Sequence, residues 1–280
     1  MPTSSNQTPK TALMARSMRQ DLFTYCTILF SVTLLFFVSC DEPTPAIPYS
    51  EALPAINVPW TAQQSLVCFG TSLTYGWMSE PNQRANARSG ECREPGSSQV
   101  ATPPPAYAYP ALLQATLKIG VVNQGQVGAT TQRALEIVGD SVLSRNPALV
   151  LLEFGANDFL QEVTDSLVER RLGRLIDTLQ LSGSKVILVS FLNSEMIASV
   201  PSDHPLADRK QEAYVFLGML RRVAMIHNDL FVEYAMRGIY WNTSMMSADG
   251  FHPNRAGYQR MQENISRALV NTFQTNGMLK

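Results

Sequence analysis

The sequence predicts an α/β protein in which helices cover both faces of a parallel sheet, a three-layer α/β/α arrangement. Five short apolar runs predict the strands, at residues 65–69, 121–124, 148–154, 185–191 and 230–234. Each run is rich in Val, Leu or Ile, as is typical of strands that are buried on both faces. Longer amphipathic stretches separate the runs, and this alternation of strand and helix indicates a parallel sheet.

Two of the predicted helices carry a continuous apolar stripe. The first stripe consists of Val168, Leu172, Leu175, Ile176 and Leu179. The second stripe consists of Tyr258, Met261, Ile265, Leu269 and Phe273. Because residues three or four positions apart lie on the same face of a helix, each stripe predicts a helix that packs against the sheet.

The composition is that of an ordinary globular protein. The chain has 280 residues, of which 45% are hydrophobic, and its formal net charge is −1. This length suffices for one sizeable core or at most two small ones. A nearly balanced charge without a long basic run argues against nucleic acid as a partner, because binding phosphates requires a basic surface. The cysteines show no CxxC or similar ligand spacing, so no metal site is predicted.

The first 40 residues differ from the rest of the chain. Residues 22–38 form an almost uncharged apolar run, which Arg16 and Arg19 precede and Cys40 closely follows. This order of basic segment, apolar segment and processing site is the pattern of a secretory signal. It resembles a bacterial lipoprotein signal, and the resemblance implies that Cys40 is lipidated and that the protein is anchored to a membrane of the cell envelope. An uncleaved membrane anchor and an ordinary cleaved signal of a secreted protein remain alternatives.

Three further segments divide the chain. Residues 41–60 are rich in proline and without periodicity, which predicts an extended tether before a domain at 61–280. Residues 78–106 form an irregular insertion, expected either to border the substrate pocket or to be a surface loop without a role. Cys68 lies in the first predicted strand, where a buried thiol is favoured over a disulfide bond with Cys92.

Polar residues and glycines follow the carboxyl ends of the first three predicted strands, where open α/β sheets bind ligands. Ser72 follows the first strand, Gly125 and Gly128 follow the second, and Asn157 and Asp158 follow the third. A serine hydroxyl at this edge can act as a nucleophile, and backbone N–H groups or an Asn amide can stabilise an oxyanion. Structural roles remain open for each segment, since Ser and Asp also cap helices and glycines form turns.

His252 is the best candidate for a general base among the three histidines. Asp249 stands three residues before it, and Pro253 restricts its backbone to an extended conformation. A catalytic histidine needs a carboxylate on one ring nitrogen so that the other nitrogen accepts the serine proton. His204 and His227 have no comparable setting, so we expect them in loop or packing roles.

The segments FGTSLT, NQGQVGATT, FGAND and DGFHPN occur in this order, and together they resemble the four sequence blocks of the SGNH (GDSL-type) hydrolase superfamily. The resemblance covers roughly residues 65–273. It implies a flavodoxin-like sheet of five strands and a serine esterase that forms an acyl-enzyme without a metal or an organic cofactor. Two positions depart from the family pattern, because Thr71 and Ala129 stand where the family usually has Asp.

The resemblance also implies a role for each site residue. Ser72 is the nucleophile, His252 is the base and Asp249 orients the base. The backbone N–H groups of Ser72 and Gly128, with the side chain of Asn157, form the oxyanion hole. The implied partner is a small-molecule, lipid or glycan ester.

Two alternative functions remain open at the level of sequence. The same three catalytic residues would support removal of acetyl groups from a polysaccharide, or transfer of an acyl group to an alcohol. A lipid-anchored binding module that has lost activity belongs to a different class. The complete set of Ser, Gly, Asn, Asp and His argues against the binding module.

Overall fold

A parallel sheet of five strands forms the centre of the protein, which we describe from a computed structural model for residues 52–80 and 104–280. The strands are β1 (Ser65–Gly70), β2 (Gly120–Gly125), β3 (Leu149–Glu153), β4 (Lys185–Val189) and β5 (Leu230–Val232). Their order in the sheet is β2-β1-β3-β4-β5, and every pair is parallel. The five predicted strands and the flavodoxin-like sheet are therefore confirmed.

The register of the three adjacent strands β2, β1 and β3 determines where their following segments lie. Gly70, the last residue of β1, is paired with Gly125 of β2 on one side and with Glu153 of β3 on the other. All three strands therefore end at the same level, and the chain segments that follow them emerge side by side at one edge of the sheet.

Helices connect the strands and cover the sheet. The described α-helices are α1 (Ser72–Tyr75), α2 (Tyr109–Thr116), α3 (Thr131–Ser141), α4 (Ala156–Leu160), α5 (Asp165–Leu181), α6 (Ser194–Ala198), α7 (Lys210–Ile226), α8 (Arg255–Ala268) and α9 (Val270–Thr275). Helix α2 packs against α8, while α5 packs against both α3 and α7. These two groups form the outer layers of the α/β/α arrangement.

The two predicted apolar stripes are buried, but only one of them lies on a single helix. All five residues of the first stripe are fully buried on α5. The second stripe is divided, because α8 ends at Ala268 and α9 begins at Val270, with Leu269 between them at ψ 9°. The prediction of one continuous helix was wrong here. The apolar spacing of four residues continues across the break, so periodicity does not reveal it.

The second half of the predicted tether is part of the folded domain. Leu53 N donates to Ala268 O at 2.8 Å, and Val58 N donates to the side chain of Asn276 at 2.8 Å. Val58 is also buried in the core. Residues 53–60 contain no helix or strand, and hydrogen bonds hold them against the ends of α8 and α9.

Several predictions concern residues outside the described ranges. These are the signal with Cys40, residues 41–51 of the tether, Cys92 and the central part of the 78–106 insertion. Cys68 is fully buried in β1 as a free thiol, and its burial raises its pKa far above the ordinary value. In residues 52–80 and 104–280, no helix is long and apolar enough to span a membrane.

Candidate active site

Ser72 is the first residue of a short helix that follows the carboxyl end of strand β1. Thr71, not Ser72, is the N-cap of α1, and its hydroxyl accepts from Leu73 N at 3.4 Å. The carbonyl of Ser72 accepts from Gly76 N at 3.1 Å and from Trp77 N at 3.0 Å. Helix capping is therefore not the role of Ser72, and its side chain is free to face the sheet edge.

Ser72, His252 and Asp249 form a continuous chain of hydrogen bonds. Ser72 Oγ lies 2.8 Å from His252 Nε2, and His252 Nδ1 lies 2.7 Å from Asp249 Oδ2. An ionised carboxylate only accepts hydrogen bonds, so Nδ1 carries the ring proton and donates a hydrogen bond to Asp249. The neutral ring then presents Nε2 as an acceptor to the serine hydroxyl, which is the arrangement that a general base requires.

Asp249 is held as a carboxylate. Burial alone would raise the pKa of Asp249, but hydrogen bonds from the ring and backbone of His252 and from Ser247 Oγ outweigh it and hold the pKa well below its ordinary range. Its Oδ1 accepts from Ser247 Oγ at 2.6 Å and from the backbone N–H groups of Phe251 and His252, both at 2.9 Å. The negative charge of Asp249 therefore persists at neutral pH.

The loop that carries Asp249 and His252 closes on itself. Ser247 N donates to His252 O at 2.8 Å, and Met246 forms an isolated bridge with Pro253. Asn254 caps α8 through Gly257 N at 3.2 Å, and its amide donates to Met246 O at 3.1 Å. Local hydrogen bonds thus fix the aspartate and the histidine relative to each other.

The loop after β2 is bonded to the segment of Ser72, and the loop after β3 is bonded to the loop after β2. Gln126 N donates to Gly70 O at 2.8 Å, and Asn157 Nδ2 donates to Ala129 O at 2.8 Å. Among the described residues, the backbone N–H groups of Ser72 and Gly128 have no hydrogen-bond partner. Gly128 has a φ of 76°, a left-handed conformation that favours glycine.

Asp158 does not cap the helix that contains it. Its side chain is fully buried and accepts from Thr131 N at 2.8 Å and from Thr131 Oγ1 at 2.6 Å. Arg171 lies 3.8 Å from the same carboxylate. Asp158 therefore anchors the start of α3 to the segment that carries Asn157, a tertiary role that the sequence does not reveal.

The other two histidines have structural partners, as expected. His227 Nδ1 lies 3.1 Å from Asp177 on α5. The Nδ1 of His204 accepts from Leu206 N at 3.1 Å, and its ring packs edge-on against Trp241 with the ring centroids 4.6 Å apart. Phe251, which directly precedes His252 and is half-exposed, lies 6.4 Å from the His204 ring. These aromatic side chains lie next to the loop of the candidate base.

Glu153 is a site residue that the sequence prediction missed. It is the last residue of β3 and is completely buried, and its carboxylate accepts hydrogen bonds from Thr71 and Thr74 of the nucleophile segment. Burial raises its pKa to about 7, although the hydrogen bonds from Thr71 and Thr74 act in the opposite direction. An acidic residue in an otherwise apolar buried strand was the available signal.

A serine, a histidine and an aspartate in one hydrogen-bonded chain, at the carboxyl edge of a covered parallel sheet, define the class of α/β serine hydrolases. A comparison of the sequence with models of known protein families agrees with this class and assigns the chain to one family within it. Residues 68–260 match the model of the GDSL-like lipase/acylhydrolase family, and the chain belongs to that family.

Two characterised relatives are similar over more than half of the chain. Esterase TesA of Pseudomonas aeruginosa is 29% identical over 145 residues, which are 52% of this chain and 67% of the relative. An arylesterase of Vibrio mimicus is 25% identical over 168 residues, or 59% of this chain and 78% of the relative. With the family, these relatives identify the chain as a carboxylic ester hydrolase, and neither alternative function is favoured.

Solved structures share the fold. The crystal structure of TesA aligns with a TM-score of 0.52 and 22% identity, covering 76% of this chain and 99% of that chain. An α/β hydrolase from the metagenome of Lake Arreo aligns with a TM-score of 0.56 and 20% identity, covering 77% of this chain and 99% of that chain. The described domain therefore has the fold of these enzymes.

Proposed function

We propose that this ester hydrolase acts through an acyl-enzyme on Ser72, with His252 as the general base and Asp249 as the group that orients it. The observation that carries the proposal is the pair of hydrogen bonds, 2.8 Å and 2.7 Å long, that links the three side chains. Ser72 Oγ attacks the ester carbonyl carbon while its proton passes to His252 Nε2. The tetrahedral intermediate then expels the alcohol, which takes that proton from His252.

A water molecule then hydrolyses the acyl-enzyme, again with His252 as the general base. It gives one proton to His252 and bonds through its oxygen to the acyl carbon, after which the carboxylic acid leaves and Ser72 regains its proton. The negative oxygen of each tetrahedral intermediate needs hydrogen-bond donors. We assign this role to the N–H groups of Ser72 and Gly128 and to the second N–H of the Asn157 amide, whose first N–H donates to Ala129.

Replacement of the nucleophile tests the proposal. Ser72→Ala is expected to lose hydrolysis of 4-nitrophenyl acetate and labelling by a fluorophosphonate, since removal of a triad member costs several orders of magnitude in rate, on the order of 10⁶-fold in one well-studied case. Ser184→Ala is the matched control, because Ser184 is a buried serine beside β4 at the opposite edge of the sheet. A Ser72→Ala protein that still takes up the label would show that the nucleophile is another residue.

We further propose that the protein is anchored in the cell envelope through a lipid on Cys40. Support comes from the order of Arg16, Arg19, the apolar run at 22–38 and Cys40. More than one acyl chain on the modified cysteine would keep the hydrolase next to a membrane surface. Esters that partition into that membrane would then reach Ser72 at a raised local concentration.

A further inference from the structure

The carboxylate of Glu153 accepts hydrogen bonds from the turn of residues 70–74, which contains Ser72. Its Oε2 accepts from Thr71 N and from Thr74 Oγ1, both at 3.0 Å. Thr71 Oγ1 lies 2.9 Å from the same oxygen and 3.1 Å from Oε1. Thr71 precedes Ser72 and Thr74 follows it by two residues, so one buried carboxylate holds the turn on both sides of the nucleophile.

The neighbourhood of Glu153 is tightly packed. A Cβ atom on Gly70 would lie 2.7 Å from both the backbone oxygen and Oε2 of Glu153, so only glycine allows β1 to come this close. Thr74 Oγ1 is also 3.2 Å from the hydroxyl of Tyr109, another fully buried residue. The turn therefore has little freedom to move relative to the end of β3.

The choice of a carboxylate at this position needs an explanation. Within the described residues Glu153 forms no ion pair, and burying an acid without a cation carries a large desolvation cost. A carboxylate accepts several hydrogen bonds and donates none, so it satisfies one backbone N–H and two hydroxyl donors at once. A glutamine would direct its NH2 group at one of these donors.

We propose that Glu153 is a positioning residue, which holds the turn of residues 70–74 so that Ser72 Oγ reaches His252 and the Ser72 N–H faces the oxyanion. The proposal rests on Ser72 being the nucleophile. Glu153 itself does not contact the substrate, because it lies fully buried behind Thr71 and Thr74. Thr71 takes part directly, since its hydroxyl and N–H are two of the three donors.

The test is a comparison of Glu153→Gln with the wild type and with Ser184→Ala. We expect Glu153→Gln to lower kcat by roughly 10–100-fold with little change in KM, because a reacting group misplaced by about 1 Å can cost on the order of 10²-fold. The rate of fluorophosphonate labelling should fall in parallel. Ser184→Ala also removes a buried polar group, and it should lower thermal stability without changing kcat.

A second pair of variants keeps the test decisive if Glu153→Gln does not fold. Thr74→Val removes one donor to Glu153, whereas Thr74→Ser keeps the hydroxyl. We expect Thr74→Val to reduce kcat and the labelling rate, and Thr74→Ser to restore both. If the folded Glu153→Gln variant, or in its absence Thr74→Val, keeps wild-type kcat and labelling, Glu153 has only a structural role. If Ser72→Ala still takes up the label, the nucleophile assignment fails instead.

Discussion

Asn157 differs from the other two proposed oxyanion donors because its amide already has a partner. One N–H is bonded to Ala129 O, which orients the amide and leaves the second N–H for the substrate oxygen. The backbone donors of Ser72 and Gly128 cannot be removed by changing a side chain. Asn157 is therefore the donor whose contribution can be measured.

Asn157→Ala should lower kcat by roughly 10²–10³-fold with a smaller change in KM, which is the usual cost of losing one oxyanion donor. The measurement is steady-state hydrolysis of 4-nitrophenyl acetate. Gln132→Ala serves as the control, since it removes a surface amide on α3 whose hydrogen bond within the described residues goes to Glu136. An unchanged kcat with a raised KM would mean that Asn157 binds the substrate without stabilising the transition state.

At the scale of single residues, the sequence reveals groups whose chemistry is evident from their neighbours in the chain. Asp249 and His252 are three residues apart, and their contact could be predicted. Thr71 and Glu153 are 82 residues apart, and their contact exists only because β1 and β3 are adjacent in register. An acidic residue at the end of an apolar strand marks Glu153 as unusual, but its partners Thr71 and Thr74 follow only from the packing of distant segments.

At the scale of elements, all five strands follow from their apolar runs to within two residues at each end. β1, β3 and β4 are almost entirely buried, and such strands are recognised by their continuous apolar sequence. The division of the last helix at Leu269 could not be predicted, because the stripe on both sides of the break faces the same core.

The insertion at 78–106 begins and ends next to the site. Ala106 N donates to Glu80 Oε1 at 3.1 Å, so the two ends of the insertion meet. The guanidinium of Arg255, the first residue of α8, lies 3.4 Å from the centre of the Tyr107 ring. Because α8 begins three residues after His252, the insertion starts from the rim of the candidate site.

Replacing residues 81–103 by a short Gly-Ser linker should change the ratio of kcat/KM between short and bulky esters by roughly 10-fold or more, as expected when pocket contacts are lost. Because Glu80 and Ala106 are in contact, a short linker can join the ends without moving the domain. A chain with residues 81–103 in shuffled order controls for length. If relative rates stay constant, the pocket is formed elsewhere, for instance by residues 194–206, which begin with α6 and whose His204 packs on Trp241.

At the scale of the whole molecule, the proposed lipid anchor on Cys40 would separate this protein from a freely diffusing esterase. Metabolic labelling with a fatty acid should mark the wild type, and Cys40→Ser should lose both the label and sedimentation with membranes. Cys26→Ser is the matched control, because Cys26 lies inside the apolar run and should leave labelling intact. A Cys40→Ser protein that still carries the fatty acid would end the lipoprotein interpretation.

The two hydrogen bonds of the triad span very different lengths of chain. The Asp249–His252 bond joins residues three positions apart, whereas the Ser72–His252 bond joins residues 180 positions apart. Closing a longer loop costs more conformational entropy, and contacts between distant segments slow folding. His252 and Asp249 can therefore come together within a local loop while Ser72 is still far away in the unfolded chain. Recovery of esterase activity during refolding therefore marks the joining of the two ends of the domain, not the formation of the catalytic loop.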